Sequence, residues 1–245
     1  RYTSYPTAPQ FSTDVTHTHM REWIAAIPSG SRISLYLHIP FCRRLCWFCA
    51  CRTQGTPSND PVIAYLSTLK REIALLGEVL PELVSFSRVP GGGGPPTLLD
   101  SPMIADLAGS IFDVAPLAEN GEFSVEIDPN EVDQSRIDAL AAAGMTRASI
   151  GVQDFDDEIQ TIIGRLQTID VTRDTAHMLR AAGIGSLNAD ILFGLPHQTT
   201  EKIASSVQKL LTLNPDRVAL YGYAHVPWMA RRQSLIPSDA LPAPE

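Results

Sequence analysis

Short runs rich in β-branched and aromatic residues alternate with amphipathic helical runs along most of the chain, and this rhythm limits the fold more than any other feature. Residues 33–39 (ISLYLHI) read as a strand by composition. From Pro61 onward Val62, Leu66, Leu69, Ile73 and Leu76 step by four and three, which marks one face of a helix. Residues 83–89 (LVSFSRV) give a second strand, followed by PGGGGPPT, and residues 101–114 a helix capped by Ser101 or Asp100. The pattern repeats: strand 122–128, helix 130–144 closed by Gly144, strand 147–155, helices 156–164 and 170–182, strand 186–196, helix 200–213 and strand 217–225. About six strand–helix units follow one another, which favours an α/β fold with a parallel sheet and outer helices. Six units are fewer than the eight of a closed barrel, so a partial (β/α)6 barrel and a doubly wound sheet are both open.

The polar and glycine-rich sequences cluster just after the strands. A cysteine loop follows the first strand and glycines follow the second; Glu126 and Asp128 end the third. Gln153 and Asp154 follow the fourth, Asp190 lies in the fifth and His225 follows the sixth. Ligand sites of α/β folds gather at the carboxyl ends of strands, so these ends are expected to converge on one site.

The formal net charge of −8 argues against nucleic acid or an anionic membrane as the main partner. No apolar run reaches the roughly 18 residues that span a bilayer. All four cysteines fall in HIPFCRRLCWFCAC, as C-x3-C-x2-C plus a C-x-C that adds Cys51. They are too few and too bunched for a secreted disulfide scaffold, and a reducing cytoplasm is expected. Three readings compete for them. Disulfides would strain at these spacings. A structural zinc site usually has a second, distant knuckle or histidines. An iron–sulfur cluster fits best, because one loop then places three thiolates around a cubic cluster and leaves one iron open to chemistry. Phe41, Trp47 and Phe48 would keep solvent from it, or simply pack the core.

At these residues a resemblance becomes specific. C-x3-C-x-aromatic-C after a first barrel strand is similar to the radical S-adenosylmethionine enzymes. Within that superfamily YLHIPFCRRLCWFCAC, EIDPNE, GVQDFDDEIQ, ILFGLP, YAHVP and the opening RYTSYPTA resemble the oxygen-independent coproporphyrinogen III oxidases, in order and over nearly the whole chain. The related haem-chaperone branch usually lacks a cysteine at Cys51 and has Ser at Asp154, so both residues favour the oxidase.

The resemblance implies a radical-SAM barrel over residues 31–232, an N-terminal segment (1–30) near its mouth, and a linker starting at 233–245 toward a helical domain beyond this chain. The opening Arg1 and the closing SDALPAPE fit that expectation of further sequence on either side. It implies a [4Fe–4S] cluster on Cys42, Cys46 and Cys49, with Cys51 not a ligand although spacing alone allows it. It implies one or two molecules of S-adenosylmethionine, held by Tyr36, Phe48, Gly93, Gly94, Pro95, Glu126, Gln153, Arg165, Asp190 and Ala224. The activity implied is oxidative decarboxylation of two propionates of coproporphyrinogen III to vinyl groups through a 5′-deoxyadenosyl radical. A flavodoxin- or ferredoxin-like electron donor, an electron acceptor and a monomeric state come with it. The competing functions are a haem-binding chaperone and an inactive fragment with a structural metal.

The chain departs from that family in RVPGGGGPPT. Gly91 stands where an aromatic residue is usual, Pro95 where Thr is usual, and Pro90 enters a strand. Pro95 offers neither N–H nor hydroxyl, so weaker cofactor binding or a shifted loop is expected. Leu166 stands where Glu is usual after Arg165.

Overall fold

The computed structural model describes residues 7–243. Helix α1 (His17–Ala25) buries none of its residues. Strands β1 (Arg32–Ser34), β2 (Leu37–Ile39), β3 (Phe41–Cys42) and β4 (Gln54–Gly55) precede helix α2 (Asp60–Gly77). The chain continues through β5 (Ser85–Gly93), α3 (Ser101–Phe112), β6 (Leu117–Ile127), α4 (Gln134–Ala142) and β7 (Arg147–Gln153). It ends with α5 (Asp157–Ile162), α6 (Ile169–Ala181), β8 (Ser186–Phe193), α7 (Thr200–Leu211) and β9 (Arg217–Gly222).

Every pairing in the main sheet is parallel, in the order β1-β5-β6-β7-β8-β9, with β2 also on β5. That gives the six strand positions of a curled, partial barrel, and among the described residues its two edges do not meet. Consecutive parallel strands need a crossover, and the helices supply it. Their apolar stripes meet the outer face of the sheet. Val62, Leu66, Leu69 and Ile73 of α2 are buried, as the four-and-three spacing predicts. Phe86, Ile137, Ile150, Leu179 and Ile191 are essentially inaccessible, each worth about 1.5–3 kcal/mol of burial.

Local chemistry sets the helix starts. Asp100, not Ser101, caps α3 by accepting from the Met103 N–H. The helix expected over 130–144 begins later, because Asp133 accepts from the Arg136 N–H and so fixes its start at Gln134. Asp156, Thr168 and Thr199 cap α5, α6 and α7 in the same way.

The first barrel strand, expected as one run over 33–39, is broken into β1 and β2. The Leu35 N–H donates to the Arg88 carbonyl at 2.9 Å. In a parallel ladder the Leu35 carbonyl would accept in return from residue 90. That residue is Pro90, which has no N–H, so the ladder stops and resumes at Leu37 opposite Gly91.

Gly91 faces the helix layer. A Cβ there would only touch the Pro96 ring at 3.5 Å. Beside it lies a dry void of about 40 Å³, lined by apolar residues that include Ile39, Leu99, Ile111 and Phe123. The missing aromatic side chain is therefore a change in core packing, on the face away from the strand-end site.

Among the described residues, no helix is long and apolar enough to cross a membrane.

Candidate functional site

The cysteine loop is held between two strands. β3 and β4 pair in parallel, with Cys42 opposite Gly55, and so close the loop from Arg43 to Thr53 on itself. Sequence patterning missed this pairing, because each strand is only two residues long. The Trp47 N–H donates to the Ile163 carbonyl at 2.9 Å, which ties the middle of the loop to the end of α5.

A cavity of about 210 Å³ opens at the carboxyl ends of the strands. Cys42, Cys46, Phe48 and Cys49 line it from the loop, and Gly93, Gly94 and Pro95 from the end of β5. Glu126, Gln153 and Asp190 complete the wall from the next three strands, and Arg165 from the loop after α5. Eleven of the thirteen site residues expected from the sequence thus share one cavity. Tyr36 and Ala224 are outside it. Tyr36 is exposed at the rim, and its hydroxyl bonds to His38 Nδ1 at 3.0 Å. Burial, and then the charge of Glu126, push its phenol up. The Ala224 carbonyl accepts from Gln233 Nε2 at 3.1 Å.

Backbone geometry shapes this wall. Any Cβ on Gly94 would sit 2.0 Å from the Phe41 carbonyl oxygen, so the β5 loop touches the cysteine loop backbone to backbone. Gly93 has φ +103° and rests against the His38 ring. Gln153, at φ +72°, is a non-glycine residue in left-handed backbone, where the β7–β8 register shifts. Such strain costs about 1–2 kcal/mol and here turns the side chain into the cavity.

The electrostatics are uneven. Burial raises the Cys42 thiol to about 11, against its hydrogen bond with Thr53. Cys49 is drawn down to about 6, first by the hydrogen bond from Cys51, with Arg232 and Arg165 adding to it. Cys51 shifts upward because it donates in that bond. Glu126 is raised by burial although the Gly93 N–H donates to it at 3.2 Å. Asp190 is raised by burial too, against hydrogen bonds from Asn188 and Ser149.

Arg165 is the pivot of the wall. Its guanidinium donates to Cys46 Sγ at 3.4 Å and to the Gly151 carbonyl at 2.9 Å, and it faces Asp128 at 3.6 Å. Its Nε is buried without a partner. A buried guanidinium N–H facing thiols and an open cavity suits an anionic guest. Among the described residues no three His, Cys, Asp or Glu side chains stand close enough to share one metal ion. The three thiols instead ring the cavity from separate points of the loop, as a polynuclear cluster requires. The donor set therefore fits an iron–sulfur cluster better than a single zinc. All four cysteines are free thiols.

Other residues belong to the site without having been expected there. Ser149 and Gly151 line the cavity, and alternation from Gln153 marks them as sharing its face, beside the strand-end Asp128 that the sequence did point to. Arg232 also lines it, and donates to the Cys51 carbonyl at 2.8 Å and to Thr53 Oγ1 at 3.0 Å. Gln233 is 1% exposed and donates to the Phe48 carbonyl at 2.7 Å. It also accepts from the Val226 N–H at 2.6 Å. Ile236 packs with Ile159, Ile163 and Leu195, under Trp47 and Phe48. Residues 233–240, assigned by sequence to a linker, thus lie as a strap against the cysteine loop. Asp154 is fully buried behind the wall, where it accepts from Ser206 Oγ, Gln198 Nε2 and the Asp156 N–H. The opening motif lies largely outside the described residues.

Residues 36–210 match the model of the radical SAM superfamily. An oxygen-independent coproporphyrinogen III oxidase of Paracoccus denitrificans is 64% identical over 244 residues, covering 100% of this chain and 54% of that protein. One from Helicobacter pylori is 36% identical over 248 residues, again covering 54% of the relative. The solved coproporphyrinogen III oxidase HemN of Escherichia coli superposes with a TM-score of 0.93 at 35% identity, over 99% of this chain and 56% of that one. The chain thus spans about half the length of the relatives it matches. Fold, cysteine loop and family match agree: the chain belongs to the radical SAM superfamily.

Proposed function

We propose that this chain is the barrel of an oxygen-independent coproporphyrinogen III oxidase, converting two propionates of coproporphyrinogen III to the vinyl groups of protoporphyrinogen IX. The observation that carries the reading is the single cavity at the strand ends. There three thiols of one loop face Gly94, Glu126, Gln153, Arg165 and Asp190. Membership of the superfamily implies a [4Fe–4S] cluster and S-adenosylmethionine. Held by these residues, the pair would supply radical chemistry able to remove a hydrogen from the substrate.

The residues have definable tasks in this proposal. Cys42, Cys46 and Cys49 would hold the cluster as thiolates, their protons passing to solvent, while Cys51 keeps its own proton and donates to Cys49. Gly93 and Gly94 let the loop backbone approach the cofactor, with Pro95 beside them. Glu126 and Asp190 accept from ammonium or ribose hydroxyl groups, and Arg165 meets a carboxylate. Phe48 and Ala224 offer backbone to the adenine, held in place by Gln233. Tyr36 and Gln153 would close the sides. Arg44, Arg52 and Arg231 are exposed around the loop of a net-acidic chain and suit an acidic electron donor. An electron acceptor, a monomeric state and a cytoplasmic setting complete the proposal.

The test is anaerobic reconstitution with iron and sulfide, then reduction, with 5′-deoxyadenosine and carbon dioxide measured. Visible cluster absorption and both products are expected. A cluster that cleaves S-adenosylmethionine but never releases carbon dioxide from coproporphyrinogen would overturn the oxidase reading. Cys51→Ser should still assemble the cluster; failure there would make Cys51 a ligand.

A further inference from the structure

The concave face of the barrel carries a layer of arginines that the reaction centre above does not use. Alternation along each strand fixes which side chains share this face. Gly92 lies on it, because a Cβ there would meet the Glu126 carboxylate at 2.7 Å, and Arg88 lies four residues below Gly92. Ser149 lies on it, bonded to Asp190, and Arg147 is two residues below. Asn188 lies on it, bonded to both Ser149 and Asp190, and Arg217 pairs with Asn188 in register.

The register then sets their heights. Arg88 stands opposite Glu122, while Arg147 stands opposite Ser124, two residues further along β6. Asn188, the partner of Arg217, stands opposite Ser149, two residues beyond Arg147. Barrel strands tilt, so residues at one height advance by about one position per strand, and alternate strands fill one layer. Arg88, Arg147 and Arg217, on β5, β7 and β9, satisfy that rule and form one layer. In a closed barrel such a layer is packed with branched apolar residues. Here it is cationic and open to solvent at Arg88 and Arg217.

The layer has surplus charge. Arg147 pairs with Glu122 at 3.3 Å. Among the described residues, neither Arg88 nor Arg217 has a side-chain hydrogen bond or an ion pair. The layer also lies close below the cavity, since the charge of Arg147 reaches Asp190 in its wall.

We infer that this arginine layer is a carboxylate-binding floor, which grips propionates of the tetrapyrrole that are not at the reaction centre. The inference rests on the function proposed above. Coproporphyrinogen carries a propionate on every ring. A substrate whose reacting side chain lies at the cavity therefore brings spare carboxylates down toward β5 and β9. Guanidinium forks spaced on alternate strands, about 10 Å apart, match carboxylates at separate corners of a macrocycle.

The test is fluorescence titration of the intact protein with coproporphyrin III, the stable oxidised macrocycle, and with its tetramethyl ester. Arg88→Ala and Arg217→Ala should each weaken coproporphyrin binding about tenfold, the worth of one charge-assisted hydrogen bond. They should leave ester binding and the melting temperature unchanged, and Arg88→Lys should recover part of the loss. Unchanged coproporphyrin affinity in the double Arg88→Ala, Arg217→Ala protein, alongside normal decarboxylation by the wild type, overturns the floor and leaves the oxidase reading standing. Binding that depends on both arginines in a protein that releases no carbon dioxide supports the floor and removes the reaction. A wild type that binds no coproporphyrin overturns both.

Discussion

The two edges of the sheet carry the same five-residue pattern, Tyr-x-His-β-branched-Pro, at 36–40 and 223–227. In both, the Tyr hydroxyl bonds to the Nδ1 of the His two residues on, at 3.0 Å in the first and 2.9 Å in the second. In both, the far ring nitrogen holds a following segment: His38 Nε2 meets the Arg52 carbonyl, and His225 Nε2 meets Ser238 Oγ. The difference is in what lies behind. Leu37 and Ile39 are buried under α2 and α3, and Tyr65 of α2 donates to the His38 carbonyl at 2.6 Å. β9 has Leu220 and Tyr221 more than half exposed, and no buried residue. One local clamp thus serves a core strand at one edge and a bare strand at the other. At the bare edge, order comes from Arg232 and the strap of residues 233–240 and not from a helix.

Substitutions at the two edges should separate them, most strongly in the core. Ile39→Ala should cost about 2–5 kcal/mol in denaturant unfolding, because it enlarges a core void. Leu220→Ala on the bare edge should stay within about 0.5 kcal/mol. Comparable losses at both positions would show that β9 is packed after all. Gln233→Ala removes a buried amide that donates to the Phe48 and Ala224 carbonyls and should cost about 1–3 kcal/mol. It should also loosen the cysteine loop, read as faster amide exchange at residues 46–51. His225→Ala should cost only about 0.5–1.5 kcal/mol and leave that exchange nearly unchanged. At the core edge, Gly91→Ala should stabilise the chain by about 0.5–1 kcal/mol, since the Cβ has room and the strand loses a glycine; a destabilised variant would mean the void is not available.

The pH dependence sharpens the same comparison inside the site. Burial holds the folded pKa of Glu126 above that of an exposed glutamate. The folded state therefore binds this proton more tightly than the unfolded chain does. Its contribution to stability is complete below the unfolded pKa, about 4.3, and is lost as pH rises through the folded value. Glu126→Gln should flatten that fall and raise the neutral-pH melting temperature of the metal-free chain by a few degrees, while weakening cofactor binding. Melting curves of both forms from pH 4 to 7 give the measurement.

Much of this was readable in advance because it depends on local chemistry. Val62, Leu66, Leu69 and Ile73 announce the buried face of α2, and the C-x3-C-x2-C loop announces its cluster, through side chains whose spacing is the signal. The clustering of polar residues toward the carboxyl ends of strands brought Glu126, Gln153 and Asp190 to one site. The break between β1 and β2 was not readable, although Pro90 was conspicuous, because its effect falls on a strand some fifty residues away in sequence and needs the register to be seen. The strap was not readable either. Arg232 and Gln233 act on the carbonyls of Phe48, Cys51 and Ala224, and a backbone acceptor leaves no mark in the sequence. The arginine layer needed both register and strand tilt.

The dry void beside Gly91 has a consequence of another kind. Empty volume enclosed by a folded chain disappears when the chain unfolds, so hydrostatic pressure works against the native state in proportion to it. With a void of about 40 Å³ between β5 and α3, the core edge of the sheet becomes the compressible part of this molecule. The bare β9 edge, which encloses nothing, should be nearly indifferent to pressure.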